Sequence, residues 1–186
     1  MIELWIPITI LAAFSQNLRS ALQKHLKSRL STAGATYVRF FYAVPFAFLY
    51  LFILNQFFYL PLPEPNANFI IFGIIGGGTQ IIATALLVYL FSFRNFAVGT
   101  AYSKTETAQT AVFGLIILGD PLTPGAIIGI MISLVGVMAI STARQENGLK
   151  NIIQSLSQKT ALIGLASGAM FGMSAISYRA ASLSLG

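Results

Sequence analysis

The chain has 186 residues, of which 56% are hydrophobic and only 9% are charged, and its formal net charge is +6. Soluble domains carry about 25% charged residues, so this composition excludes a soluble domain and indicates an integral membrane protein. The chain has no cysteine, which excludes disulfides and thiolate metal sites. Its cations are not clustered on one soluble face as nucleic-acid binding requires, so we expect no nucleic-acid partner.

Six apolar segments follow one another along the chain, and each predicts a membrane-spanning helix. They cover roughly 4–23, 35–54, 69–91, 96–118, 124–142 and 160–180. A helix needs about 20 apolar residues to cross a hydrocarbon core about 30 Å thick, and most of the segments reach that length. Runs such as 70–75 do not alternate between polar and apolar residues, which favours helices over barrel strands. The predicted fold class is all-α, a polytopic helical membrane protein.

The first segment is the least apolar of the six. It is apolar only as far as Phe14 and then turns polar, with Asn17, Arg19 and Gln23 in its second half. No basic residue precedes the apolar run, so an uncleaved span is favoured over a signal peptide. Arg19 and Gln23 are four residues apart and share a helix face. This polar half suits a helix that lines a cavity, and an anchor at the membrane surface is the alternative.

The charges of the connections differ between the two sides of the membrane. Seven cations lie in the first, third and fifth connections: Lys24, Lys27, Arg29, Arg94, Arg144, Lys150 and Lys159. The second connection holds only Glu64 and the fourth only Asp120. Basic connections stay in the cytoplasm. We therefore predict a multi-pass protein of a bacterial-type inner membrane, in contact with the lipid bilayer, with its N-terminus outside.

Three connections carry further signals. The proline-containing segment 55–68 reads as an outside loop. The segment 119–124 predicts a tight turn in which Thr123 caps the next helix and Pro124 is its first residue. The segment 143–159 is polar and predicts a linker, with a short interfacial helix over 149–156.

Small residues recur at helical spacing in the last two segments. One set is Gly125, Gly129 and Gly136, and the other is Gly164, Gly168 and Gly172. Glycines at this spacing let helix backbones approach closely in a membrane. Packing within the chain is one interpretation, and a homodimer through Gly125, Gly129 and Gly136 is the other.

Several of these stretches together resemble a known family. The sequences Phe-Ala-Val-Gly-Thr-Ala-Tyr at 96–102, Leu-Gly-Asp-Pro-Leu-Thr at 118–123 and the glycine-spaced helix at 127–137 resemble the last two helices of an EamA-like repeat of the drug/metabolite transporter superfamily. Arg39 and Pro45 in the second segment are similar to that pattern as well. The resemblance implies a transporter built from two five-helix repeats, the second inverted relative to the first.

Under this resemblance the chain divides into three parts. Residues 1–142 form the first five-helix repeat, 143–159 the linker between repeats, and 160–186 the first helix of the second repeat. We expect a chain truncated after the sixth helix, and a natural six-helix protein is the alternative. The implied function is secondary transport of a small metabolite or amphipathic compound by alternating access, coupled to protons or to exchange. The sequence lacks a GxxxxGK[ST] phosphate loop, so ATP is not the direct driver.

The fourth segment contains a polar stretch at membrane depth. Counted from Phe96, Glu106 lies about 15 Å deep, near the middle of the hydrocarbon core, where an ionisable group is costly and usually functional. On a continuous helix Tyr102, Glu106 and Gln109 share one face, whereas Lys104 points nearly the other way. We predict a cavity face where Glu106 binds solute or handles a proton. A buried ion pair that only fixes packing is the alternative.

Two further residues complete the candidate site. Arg39 either attracts an anionic group of the solute or anchors the second segment at the membrane surface. Gln80 follows the glycines at 76–78, which predict either a bend near a binding site or close packing against a neighbour. The candidate set is Glu106, Tyr102, Gln109, Gln80, Arg39, Lys104 and Asn17.

Two other functions compete with transport. A non-transporting membrane subunit or remnant would fit the same spans. An intramembrane lipid-modifying enzyme usually needs paired acids or a histidine–acid set, whereas this chain has five scattered acids and one histidine, His25, in a basic connection. We therefore predict that the protein is not an enzyme and needs no cofactor or metal.

Overall fold

The computed structural model describes residues 5–59, 61–93, 96–143 and 159–185, and all regular structure in these ranges is helical. The elements are α1 (Trp5–Lys27), α2 (Thr32–Phe41), α3 (Ala43–Phe57), α4 (Ala67–Leu90), α5 (Phe96–Ser103), α6 (Glu106–Phe113), a π-helical turn (Gly114–Leu118), α7 (Pro124–Ala143) and α8 (Lys159–Leu183). The predicted all-α class is confirmed. Most of the predicted linker, 144–158, with its interfacial helix, lies outside the described residues.

Membrane-spanning length is reached by several of these elements. Within the described ranges three segments are long and apolar enough to cross a membrane, namely Thr32–Phe57, Ala67–Leu90 and Lys159–Leu183. Pro124–Val137 is a shorter apolar helix. Large apolar side chains on the outer faces of the bundle are exposed, as lipid contact requires.

The second span consists of two helices, α2 and α3, joined at Tyr42. Ser31 caps α2, because its hydroxyl accepts a hydrogen bond of 3.1 Å from the backbone N–H of Gly34. Pro45 lies in the first turn of α3. A proline lacks the N–H and its ring conflicts with the carbonyl four residues earlier, here that of Phe41, so the helix is interrupted at this point.

The fourth span is a broken helix, and the prediction of one continuous helix over 96–118 is wrong. Between α5 and α6, the N–H groups of Lys104 and Thr105 donate to the carbonyls of Ala101 and Tyr102, three residues back rather than four. The Thr105 hydroxyl also donates to the Tyr102 carbonyl at 2.7 Å. Hydroxyl groups that bond to nearby backbone in this way compete with the regular helix ladder. The polar residues therefore interrupt the span.

The turn between the fourth and fifth spans is as predicted. Gly119 adopts a left-handed conformation with φ of 69°, which glycine reaches without steric cost, and the Asp120 N–H donates to the Gly114 carbonyl at 3.2 Å. The Thr123 hydroxyl accepts from the Ala126 N–H at 3.2 Å, and α7 begins at Pro124. The predicted cap and first helical residue are confirmed.

Helix α8 lies at the centre of the bundle, packed against α4, α5 and α6. A methyl group at Gly164 would overlap the carbonyl oxygen of Gly99, and one at Gly168 would lie 2.9 Å from the carbonyl oxygen of Ser103. A methyl group at Gly172 would lie 3.0 Å from the Thr110 hydroxyl and 3.2 Å from the Thr110 backbone nitrogen of α6. Only glycine permits such close contact between backbones. For this set of glycines, packing within the chain is confirmed.

The glycines of α7 behave differently. A methyl group at Gly125, Gly129 or Gly136 would have no described atom within 4 Å. No described helix therefore packs closely on these three positions.

Hydroxyl groups hold α8 against α4. The Ser167 hydroxyl donates to the Ala83 carbonyl at 2.9 Å. The Ser174 hydroxyl lies 2.8 Å from the Gly76 carbonyl and 2.7 Å from Oε1 of Gln80. Interhelical hydrogen bonds of this kind supplement van der Waals packing where no water is present.

Replacing Ser174 with alanine is expected to lower the free energy of unfolding by about 1 kcal/mol, the net value of one such hydrogen bond. The loss should appear as a lower melting temperature of the purified protein in detergent. Ser182→Ala is the control, because Ser182 lies on the same helix and is exposed. Equal melting temperatures for the two variants would show that the Ser174 contacts do not stabilise the bundle.

Polar contacts tie the C-terminal end of α8 to the second and fourth connections. Arg179 and Asp120 form an ion pair with N···O distances of 2.6 and 3.0 Å. The amide of Asn66 donates to the Ser184 carbonyl. At the opposite end of α8, the Lys159 ammonium lies 5.9 Å from the ring centroid of Phe93 in the third connection. Successive connections therefore alternate between the two ends of the bundle, as consecutive membrane crossings require.

Candidate functional site

The break in the fourth span is held by side chains from both sides. The Gln109 amide Nε2 donates to the Thr105 hydroxyl at 2.8 Å and lies 3.4 Å from the Leu165 carbonyl of α8. Gln109 therefore bridges the two halves of the broken span and the central helix. Its Oε1 atom is buried without a hydrogen-bond partner among the described residues, which leaves one acceptor in the interior.

Glu106 is the first residue of α6, directly after the break. Its side chain is half-buried and interacts electrostatically with Lys104 and Arg39. Within the described residues it forms no ion pair. The first turn of a helix favours a negative charge, because the unpaired N–H groups carry partial positive charge. The break thus supplies an acidic group in the interior of the bundle whose charge is not neutralised by direct contact.

Arg39 extends from α2 into the bundle. Its Nη1 donates to the Thr84 hydroxyl of α4 at 2.8 Å, and its guanidinium carbon lies 6.0 Å from the ring centroid of Phe171 in α8. Thr84 is fully buried and donates in turn to the Gln80 carbonyl at 2.8 Å. The guanidinium is thus held between α4 and α8, with Glu106 within electrostatic range.

The other candidate residues lie in different environments. Tyr102 is only 3% exposed and packs against Ala161 of α8. Gln80 accepts a hydrogen bond from the Ser174 hydroxyl and lies on α4, which the glycines before it do not interrupt. Lys104 and Asn17 are exposed. The structure places Arg39 within electrostatic range of Glu106, and it places Tyr102 and Gln80 in helix-to-helix contacts.

Sequence reasoning missed two residues that organise this site. Thr84 holds the Arg39 guanidinium, and Thr105 closes the break. Thr84 was visible as a polar interruption of the third span, but its partner is 45 positions away in the sequence. Thr105 stands in the polar stretch, and its tendency to bond to nearby backbone was a usable signal.

Taken together, the fold and the site define a polytopic helical membrane protein with a polar interior. Helices that break at membrane depth, with charged residues at the break, are typical of secondary transporters.

The comparison with protein families agrees with this class. The model of the EamA-like transporter family matches residues 3–142, from α1 to all but the last residue of α7. The chain belongs to the EamA-like transporter family. It is therefore an integral, multi-pass membrane protein of a family of transporters for small molecules, which is not a family of enzymes. No curated protein and no solved structure matches the chain.

Proposed function

We propose that the protein is a secondary transporter that moves a small metabolite or amphipathic compound by alternating access. The observation that carries the proposal is the break after α5, which places Glu106 in the interior within electrostatic range of Arg39. Two opposite charges held inside a membrane protein without direct contact cost free energy. A solute that interacts with both groups would offset that cost.

Glu106 is the proposed coupling group. An acidic residue at the membrane midplane favours its protonated form when water is excluded and releases the proton when the cavity opens to water. Solute and proton would compete for the carboxylate. On one side of the membrane the solute would displace the proton, and on the other side a proton would displace the solute. Arg39, held by Thr84, would supply the positive charge that attracts an anionic group of the solute.

The arrangement in the membrane is part of the same proposal. Residues 1–142 form one repeat, α8 begins a second and inverted repeat, and the basic connections face the cytoplasm of an inner membrane. This places the N-terminus outside. A homodimer through Gly125, Gly129 and Gly136 stays a prediction, and transport does not depend on it.

The experiment that tests the proposal uses purified protein in vesicles that contain a pH-sensitive dye. Amino acids, amphipathic carboxylates and amphipathic amines are added one at a time, and each is tested for a solute-dependent change of internal pH and for exchange against its radiolabelled form. We expect at least one class of solute to move. Protein-free vesicles are the control. Failure of every class both to change the pH and to exchange would contradict the proposed function.

A further inference from the structure

A groove of about 310 Å³ opens between α1, α2 and the start of α3. Its size is at the lower end of the range for small-molecule sites. The walls are mainly apolar and are formed by Leu22, Leu26, Ala35, Val38, Tyr42 and Ala43. Three polar side chains also line it, those of Arg19, Gln23 and Arg39.

Gln23 is the least expected of these three. Its side chain is buried, with 4% exposure. Neither Oε1 nor Nε2 has a hydrogen-bond partner in the part of the chain that the structure describes. Buried amides nearly always have partners, because an unpaired polar group away from water is costly. Gln23 therefore lines the groove with a donor and an acceptor that no described residue uses.

The charges of the groove are unbalanced. Arg19 and Arg39 both line it and interact electrostatically with each other. None of the lining residues is acidic, and Arg19 forms no ion pair with any described residue. Glu106 is within electrostatic range of Arg39 but does not line the groove. Two like charges beside apolar walls repel each other, and an anion bound in the groove would lie between both.

We infer that this groove binds the oxyanion of an amphipathic molecule, a carboxylate or a phosphate with an apolar chain. Guanidinium groups match the oxygens of either anion through paired N–H donors, and Nε2 of Gln23 supplies one more donor. The apolar chain would lie along Leu22 and Leu26. The groove shares Arg39 with the proposed transport site, but the inference goes beyond the proposed function, since binding here does not require transport.

Two sources could supply this chemistry, a solute from water or the headgroup of an anionic phospholipid. The test uses the full chain in nanodiscs of neutral phosphatidylcholine. Dodecyl phosphate is titrated by calorimetry, with dodecanol as its uncharged analogue. A second set of nanodiscs contains phosphatidylglycerol, and native mass spectrometry measures how much of that lipid the protein retains.

The expected result is binding of dodecyl phosphate without binding of dodecanol. Arg19→Gln should weaken that binding about tenfold, the loss of one charge-assisted contact. Lys24→Gln is the matched control, because it removes the same charge from the same end of α1 but lies outside the groove. Gln23→Leu should weaken binding without lowering the melting temperature of the ligand-free protein, since no hydrogen bond is lost.

The two sources give different results. Equal binding of dodecyl phosphate in both kinds of nanodisc supports a solute site. Retained phosphatidylglycerol that excludes dodecyl phosphate and is lost in Arg19→Gln supports a headgroup site. The inference is overturned if neither ligand binds, if Arg19→Gln and Lys24→Gln bind equally well, or if Gln23→Leu lowers the melting temperature with unchanged affinity. None of these binding measurements depends on the transport assay.

Discussion

Replacing Glu106 with glutamine is expected to abolish proton-coupled movement of solute while the folded bundle is retained. Glutamine has nearly the shape of the protonated acid but cannot release a proton. The side chain is half-buried and forms no ion pair with a described residue. The substitution therefore breaks no ion pair among the described residues. Solute accumulation driven by a pH gradient should fall to the level of protein-free vesicles.

Exchange of solute for solute separates coupling from binding in this variant. A residue that only carries the proton leaves exchange intact in Glu106→Gln, whereas a residue that also binds the solute weakens exchange as well. Glu64→Gln is the matched control, because Glu64 is exposed in the second connection and should transport like the wild type. A Glu106→Gln protein that accumulates solute at the wild-type rate in the same pH gradient would contradict the coupling role.

Replacing Gly164 with leucine is expected to prevent the central helix from packing. Even a methyl group at this position overlaps the Gly99 carbonyl, and the obstacle is backbone rather than a side chain that could rotate away. Overpacking of a core usually costs about 1–3 kcal/mol and at times more, out of a total stability of about 5–15 kcal/mol. Because α8 contacts α4, α5 and α6, the whole bundle should be affected.

The measurement is size-exclusion chromatography in detergent followed by thermal unfolding. Gly164→Leu should elute as aggregate, or melt well below the wild type. Gly129→Leu is the control, since a methyl group there meets no described atom within 4 Å. If both leucine variants were equally monodisperse and equally stable, the close contact between α8 and α5 would not be needed for the fold.

The helical class of this protein and the turn before α7 follow closely from the sequence. Helix-forming apolar runs of membrane length have few alternatives in lipid, because every backbone group must be hydrogen-bonded within its own segment. The predicted segment 124–142 corresponds to α7 (Pro124–Ala143) and 160–180 to α8 (Lys159–Leu183). Thr123 and Pro124 act locally, so the start of α7 could be predicted from a few neighbouring residues.

The site was predicted less well, because its geometry depends on contacts between distant segments. The prediction that Tyr102, Glu106 and Gln109 share one face assumed an unbroken helix. The helix is interrupted at Lys104 and Thr105, so that assumption does not hold. Tyr102 packs against α8 and Gln109 reaches it. No periodicity in the fourth span indicates where the sixth span will lie.

The role of Gln80 shows the same limit. The polar residue after three glycines predicted either a bend with a solute contact or close packing against a neighbouring helix, and the third span alone does not distinguish the two. In the structure Ser174, 94 positions later, donates to its side chain, and α4 stays regular. A polar side chain within a span can bind a solute or a neighbouring helix, and only the neighbour's position distinguishes the two.

We propose that the interior site at Glu106 opens alternately to the two sides of the membrane. The chain contains no cysteine, so single-cysteine variants need no altered background. Glu106→Cys is exposed to a membrane-impermeant thiol reagent from either side of sealed, oriented vesicles. Glu64→Cys and Ser28→Cys report the two sides, because they lie in the second and first connections. Ser167→Cys, at a fully buried position, is the unreactive control.

We predict that Glu64→Cys and Ser28→Cys each react from one side only, and from opposite sides, whereas Glu106→Cys reacts from both. A solute that the protein transports should slow the reaction of Glu106→Cys. Reaction of Glu106→Cys from a single side, or no reaction from either side, would contradict alternating access at this site.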